Sequence, residues 1–410
     1  MMIRSVCLKL HRWFGLLSAI FLIIVSLTGS LIAFNEELDI WLNPQLFLIS
    51  PDSSVMLDPV SLFKKVSENI PKNYQIVDMP LFFEPGKSVY FSANGNSEQF
   101  APLQIFVNPH NAEVLGQRIW GELSIDKKDL MPLINRIHYS LALDSIGSYI
   151  LGITALFWTL DCFVGFYLTL PKKSSPTNSS LFSRTSWLQR WQKAWGIKLN
   201  SSFIRLNFDF HIALGLWTWL ALLMFAWSSV AFNLSKEIYN PVTNFLFGME
   251  SINTLEISQN NANFSKMSWQ DALKTGRDLI SKQAQENHFD IIREDTLTYN
   301  AMGNTYQYLL KSSLDNSKWA TTKVIFDASD GHLINKEWPG GHEKLGDVIT
   351  RWLIWLHMAV VFGTAMQIFV CLIGLAITVI TLTGVYIWWK KRQARQLMKS
   401  KHLTLNKRSS

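Results

Sequence analysis

Long runs without charge alternate with mixed segments along this chain. Residues 13–34 carry no charge, 145–170 carry one (Asp161), 212–234 carry none, and 352–389 are uncharged apart from the titratable His357. About 20 helical residues cross a hydrocarbon layer of about 30 Å, so the pattern predicts four transmembrane helices. The last run is too long for one crossing, and its first part is expected in the interface or above it. Arg4, Lys9 and Arg12 precede the first run, as they would in a signal peptide. That run is too long for a signal core and no Ala-x-Ala site follows it, so a retained helix is expected.

The segments between the runs have a different period. Residues 59–70 and 268–285 have amphipathic helical spacing, and Ser268 with Asp271 resembles a capping box. Residues 87–93 and 305–311 alternate like strands, the first ending in the turn Asn94-Gly95. Residues 105–108 and 112–115 read as a hairpin that returns, 219 residues later, as 324–327 and 331–334. Each segment thus predicts a small α+β unit of about 100 residues. The expected fold class is a membrane protein with four transmembrane helices in two parallel repeats, each carrying an exported α+β domain. The predicted order is helix 1 (1–35), α+β domain 1 (36–136), helix 2 with an outer extension (137–171) and a basic linker (172–208). Helix 3 (209–234), α+β domain 2 (235–350), helix 4 with its extension (351–389) and a basic tail (390–410) follow.

Charge orients this layout. The chain is 48% hydrophobic and 17% charged, with a net charge of +7. Arg4, Lys9 and Arg12, the linker's Lys172, Lys173, Arg184, Arg190, Lys193, Lys198 and Arg205, and the acid-free tail from Lys390 all mark the cytoplasmic side. Nearly all carboxylates lie in the two outward segments. The positive charge therefore reads as topology and contact with anionic lipid rather than a nucleic-acid footprint. Cys7, Cys162 and Cys371 lie in or beside the spans, so the exported domains have no disulfide framework.

Four histidines carry the candidate chemistry. His11 is followed by Gly15 and His211 by Gly215, at the cytoplasmic start of the two outgoing helices. His138 precedes Gly165 by the same 27 residues that separate His357 from Gly384, ahead of the two returning helices. Imidazole pairs near opposite membrane edges are what two bis-histidine b-type haems need, with glycines letting a flat macrocycle approach the backbone. An isolated interfacial histidine would merely meet lipid phosphate; the recurrence with glycine is what favours ligation. Gly165 and Gly384 lie roughly 40 Å down a straight helix from their histidines. Either those helices kink near Gly147 and Gly363, or the outer haem sits at the membrane surface. Arg12 and Arg205 on the inner side, and Arg136 and Arg351 on the outer side, suit haem propionates, although the positive-inside bias explains the inner two equally well. Asp161, with Ile380 at the equivalent position of the other half, is an intramembrane acid with either a proton or quinone role or an interhelical hydrogen bond. His110, His288, His332, His342 and His402 lack ligand-like spacing and read as surface residues. Tryptophans and tyrosines at span ends fit an aromatic belt.

The stretches His11-Arg12-Trp13-Phe14-Gly15-Leu16, Thr28-Gly29, His211-Ile212-Ala213-Leu214-Gly215-Leu216-Trp217 and Thr383-Gly384-Val385-Tyr386-Ile387-Trp388 resemble the PepSY-associated transmembrane family of bacterial inner-membrane proteins, over essentially the whole chain. Ser228-Ser229 and Val164 depart from the family pattern, standing where a second Thr-Gly and a Thr would be. The resemblance implies PepSY-like periplasmic domains and a dihaem reductase in which the four histidines ligate two haem b groups. Its substrate would be a ferric siderophore or other ferric chelate in the periplasm, from which Fe(II) is released.

No Gly-rich dinucleotide motif or P-loop occurs, so the electron donor is expected to be a quinol or a partner reductase. Two other classes compete: a non-redox iron or siderophore transporter subunit, and a regulatory or binding membrane protein acting through its exported domains. A haem spectrum separates the first class from both.

Overall fold

The computed structural model describes residues 2–50, 54–95, 101–172, 186–249, 266–341 and 343–406. In chain order the elements begin with α1 (Met2–Ile32), α2 (Asn35–Leu42), α3 (Pro44–Phe47), α4 (Pro59–Ser67), β1 (Tyr74–Ile76) and β2 (Asp78–Pro80). There follow β3 (Val89–Gly95), β4 (Leu103–Val107), β5 (Val114–Ile119), α5 (Lys127–Ser140), α6 (Asp144–Thr169) and α7 (Trp187–Gln192). Next come α8 (Phe203–Trp217), α9 (Trp219–Asn233), α10 (Asn240–Phe247), α11 (Trp269–Asn287) and β6 (Ile291–Asn300). The chain ends with β7 (Thr305–Ser312), β8 (Thr322–Asp327), β9 (Leu333–Glu337), α12 (Leu345–His357) and α13 (Gly363–Asn406). It divides into two compact units: residues 1–33, 136–242 and 367–410, and residues 34–135 and 243–366.

The first unit is helical. Met2–Ile32, Asp144–Thr169 and Gly363–Met398 are each long and apolar enough to cross a membrane, and a fourth span exists if α8 and α9 count as one. Those two helices are bent by 69°, where sequence reading expects one continuous helix over 209–234. The break is at Thr218. Its backbone leaves the helical region (φ −103°, ψ 2°) while its hydroxyl donates to the Leu214 carbonyl at 2.7 Å. Trp219 beyond it is anchored by its indole N–H on the Cys162 carbonyl (2.9 Å) and by ring contact with Phe166. Small residues set the helix spacing: a Cβ on Gly374 of α13 would collide with Ser30 Oγ and the Ser26 carbonyl of α1. The Ser26 and Thr378 hydroxyls bond there at 2.7 Å, the usual glue between helices in lipid. Arg4 donates to the Leu168 and Leu170 carbonyls at 2.5 and 2.9 Å, capping the end of α6.

His138 lies on α5, a helix separate from α6, because Leu141, Ala142 and Asp144 take left-handed backbone angles (φ 53°, 57° and 51°). Gly147 is required at that reversal, since a Cβ there would strike the Ser140 carbonyl. The chain also breaks between α12 and α13, where Gly363 has φ +57°. Of the two options left open by the spacing, the helices do turn near Gly147 and Gly363.

The second unit holds two antiparallel sheets, in the orders β1-β3-β4-β5 and β2-β6-β7-β8-β9. The α4 face, with Leu62 and Val66 fully buried, packs on Phe91, Ile105 and Val107 of the first sheet. The α11 face packs on the second: Gly276 lies so close to the Tyr308 ring that a Cβ would sit 2.8 Å from it. Ser268 caps α11 by accepting from the Asp271 N–H (3.1 Å), as the capping pattern predicts. One strand breaks the expected separation of the two α+β segments. β2 belongs to the first segment yet pairs with β6 through Met79↔Leu297, burying Met79 in the second core.

Candidate functional site

The first unit brings three of the four candidate histidines into defined surroundings. His11 on α1 and His211 on α8 face each other with ring centroids 6.0 Å apart and an interplanar angle of 58°. His11 Nδ1 lies 2.9 Å from Asp161 Oδ1 on α6. His211 Nδ1 lies 3.0 Å from the Ile380 carbonyl and 3.2 Å from Thr383 Oγ1 on α13. Because the Ile380 carbonyl only accepts, and the Thr383 hydroxyl already donates to it at 2.8 Å, His211 carries its proton on Nδ1. An ionised Asp161 can only accept, and against it the proton of His11 stands on the same nitrogen. In both rings Nε2 is left as the nitrogen with the lone pair, the form a metal ligand needs.

Glycines back each ring. A Cβ on Gly165 would sit 3.5 Å from His11 Cε1, and one on Gly384 would sit 3.0 Å from His211 Cε1. Gly15 and Gly215, one turn beyond each histidine, border open space, with no atom within 4 Å of a built Cβ. Two metal–imidazole bonds of about 2 Å, plus the ring radii, place centroids about 6 Å apart. The spacing, the tautomers and the open flank at Gly15 and Gly215 therefore suit two imidazoles that would hold one metal ion between them.

His138 is held from the same helix as His11. Its Nδ1 lies 3.1 Å from Thr28 Oγ1, whose hydroxyl is donated to the Ile24 carbonyl at 2.8 Å, and the ring also bonds the Val25 carbonyl, which can only accept. A Cβ on Gly29 would lie 3.0 Å from the ring. Thr28 and Gly29 are thus the seat of His138, a role sequence reading does not assign to that dipeptide. His357 is the last residue of α12 and belongs to the second unit.

The four arginines are occupied within the chain. Arg136 pairs with Asp144 at 3.0 and 3.2 Å, Arg205 with Asp209 at 2.8 Å, Arg351 with Glu343, and Arg12 lies over the Trp13 ring. Three of the four thus each have one carboxylate partner within the chain.

Asp161 was readable as an intramembrane acid, but its partner was not. One signal was present: Asp161 stands four residues before Gly165 and so shares its helical face, and that face meets His11. Val164, where the family pattern has Thr, fits the same picture. In the other half Thr383 offers His211 a hydroxyl, whereas here Asp161 supplies the acceptor. Among the described residues one group has metal-ligand geometry, Asp327, Asp330 and His332 on the β8–β9 hairpin. It is exposed at Asp330 and His332, and its carboxylates already accept the Ser329 and His332 amides of the turn.

Apolar helices of spanning length, joined to a unit of two antiparallel sheets, define a multi-pass membrane protein with a substantial non-helical part. The model of the PepSY-associated TM region matches residues 8–391, and the chain belongs to that family. A comparison with curated proteins returned no match.

Proposed function

We propose that this protein is an inner-membrane dihaem b-type reductase that moves electrons across the bilayer and reduces a ferric siderophore or other ferric chelate in the periplasm, releasing Fe(II). The observation that carries this reading is the His11–His211 pair, with rings 6.0 Å apart and each Nδ1 tied to an acceptor. Bound haem would supply the one-electron Fe(III)/Fe(II) couple. His11 and His211 hold one iron and Gly165 and Gly384 seat the two rings. Thr28 and Gly29 orient His138 for a second iron, and spacing alone names His357 as the fourth ligand. The basic linker and tail put both termini in the cytoplasm, and the four spans form two parallel repeats. A quinol or a partner reductase donates on the His11 side. Each quinol oxidised yields two electrons and two protons, and so reduces two ferric centres.

The test is a reduced-minus-oxidised visible spectrum of the purified chain with pyridine-haemochrome quantification. Two b-type haems per chain are expected, and His11→Ala or His211→Ala should each remove one. A haem-free protein after expression with ample haem would overturn the reading and leave a transporter subunit or a regulatory module.

A further inference from the structure

The two halves hold their inner histidines in the same way, with one chemical difference. His11 and His211 each donate Nδ1–H to a returning helix four residues before a glycine, at positions 161 and 380. At 380 the acceptor is a main-chain carbonyl of an isoleucine, supported by Thr383. At 161 it is a carboxylate, partly buried between α1 and α6. The third histidine, His138, bonds the Val25 main-chain carbonyl, with the neutral Thr28 hydroxyl beside it. Of the three only Asp161 offers an ionisable acceptor.

Orientation does not require that charge. His211 reaches its tautomer and its seat on Gly384 with uncharged acceptors alone, and His138 does the same on Gly29. A carboxylate inside a span is costly, so its presence calls for an effect that a carbonyl cannot supply. That effect is electronic. A hydrogen bond to an ionised acceptor is roughly twice as strong as a neutral one. It pushes electron density into the imidazole, makes Nε2 a stronger donor and favours the ferric form of the metal it binds.

Building on the dihaem reading above, we propose that Asp161 acts through His11 as a positioning residue. It makes the iron at the His11–His211 pair the more reducing of the two, so that electrons run downhill toward the level of His138. The two levels are separated by the 17 residues of α1 from His11 to Thr28, roughly 25 Å along the helix. With haem held at both levels, each transfer would move one electron from the first to the second, with no bond made or broken. The electrons come from the quinol or partner reductase named above.

The experiment is a potentiometric titration of the purified full-length chain at one pH, with electron paramagnetic resonance of the oxidised form, for wild type, Asp161→Asn and Asp161→Glu. Asn keeps an acceptor and removes the charge. Its expected result is two retained haems, a lower midpoint raised enough to increase electron occupancy of that haem about tenfold (about 59 mV for a one-electron couple), and an unmoved upper midpoint. Only one of the two ferric signals should change, and Glu should stay near wild type. An unmoved lower midpoint with haem content intact would overturn this inference and leave the dihaem reading standing. So would equal movement of both midpoints, or loss of one haem in both variants. Loss of the haem in Asn alone would show that the charge serves to retain the group rather than to set its potential, and would overturn the inference. Wild type without haem overturns both this inference and the proposed function.

Discussion

The most exacting stability test lies in the second unit, at Arg118. This side chain of β5 is about 3% exposed and makes a two-pronged ion pair with Asp39 of α2, at 2.7 and 3.0 Å. It also donates to the Lys128 carbonyl of α5 at 2.7 Å and to Gln104 of β4 at 2.8 Å, between the rings of Phe47, Phe106 and Trp120. Four elements therefore meet at one guanidinium. Removing one member of a buried pair leaves an uncompensated charge and costs about 3–5 kcal/mol, whereas removing both costs far less. Asp39→Leu and Arg118→Met should each fall in that range. In a folding unit of this size that is a drop of about 10 °C in the unfolding midpoint. In the double variant the Lys128 carbonyl and Gln104 still lose a donor, a cost of about 1–3 kcal/mol, so the pair together should be milder than either alone. Thermal unfolding of the detergent-solubilised full chain measures all three. Additive single effects, or an Asp39→Leu cost below about 1 kcal/mol, would show that the charges are not coupled as the geometry requires.

Two further outcomes follow from the same unit. Burial pushes the Asp78 carboxyl up to about 6 from its ordinary 3.8, although it accepts the Ser92 amide at 2.6 Å. The fold therefore binds a proton more tightly than the unfolded chain does. Stability should be greatest below pH 3.8 for this group, fall as pH rises toward 6, and stay reduced above it. Asp78→Asn should remove that slope and stabilise the protein at pH 8 by at most about 3 kcal/mol, and an unchanged pH profile would count against it. Ala112 holds a left-handed angle (φ 66°) in the first hairpin where Gly331 (φ 78°) stands in the second. Ala112→Gly should raise the unfolding midpoint through relief of about 1 kcal/mol of backbone strain, while Gly331→Ala should lower it.

What the sequence made legible follows from how local each signal is. The charge-free runs located α1, α6 and the apolar part of α13 because lipid demands continuous apolar length. The 219-residue offset located both hairpins because a turn is specified by a few adjacent residues. The break at Thr218 was hidden, since a threonine in an apolar run carries no mark of where the backbone will leave the helical region. The pairing of β2 with β6 was hidden for a different reason. Three residues, Asp78 to Pro80, are too few for a periodic signal, and their partner lies more than 200 residues away. For the site, repetition exposed His11 and His211, whereas the ring partners had to come from other helices. Thr28 and Asp161 were both in view as residues of interest, but the contact that gives each its role spans 110 and 150 positions.

The duplication proposed above sets the two hairpins side by side, residue for residue. Both hairpins bulge at equivalent points, between Phe106 and Val107 and between Ile325 and Phe326. Both turns close with the same amide bonds, Ala112 to Asn108 and Gly331 to Asp327, despite different side chains. Backbone geometry is thus retained where the side chains have drifted. The inner histidines follow that rule for the ring seats, glycine against imidazole at 165 and 384, and depart from it only in the acceptor on Nδ1. Drift alone would leave an uncharged acceptor on both sides, because a main-chain carbonyl is present at every position. An acid faces His11 in a segment with no other charge between residues 145 and 170, where the corresponding position of α13 has Ile380.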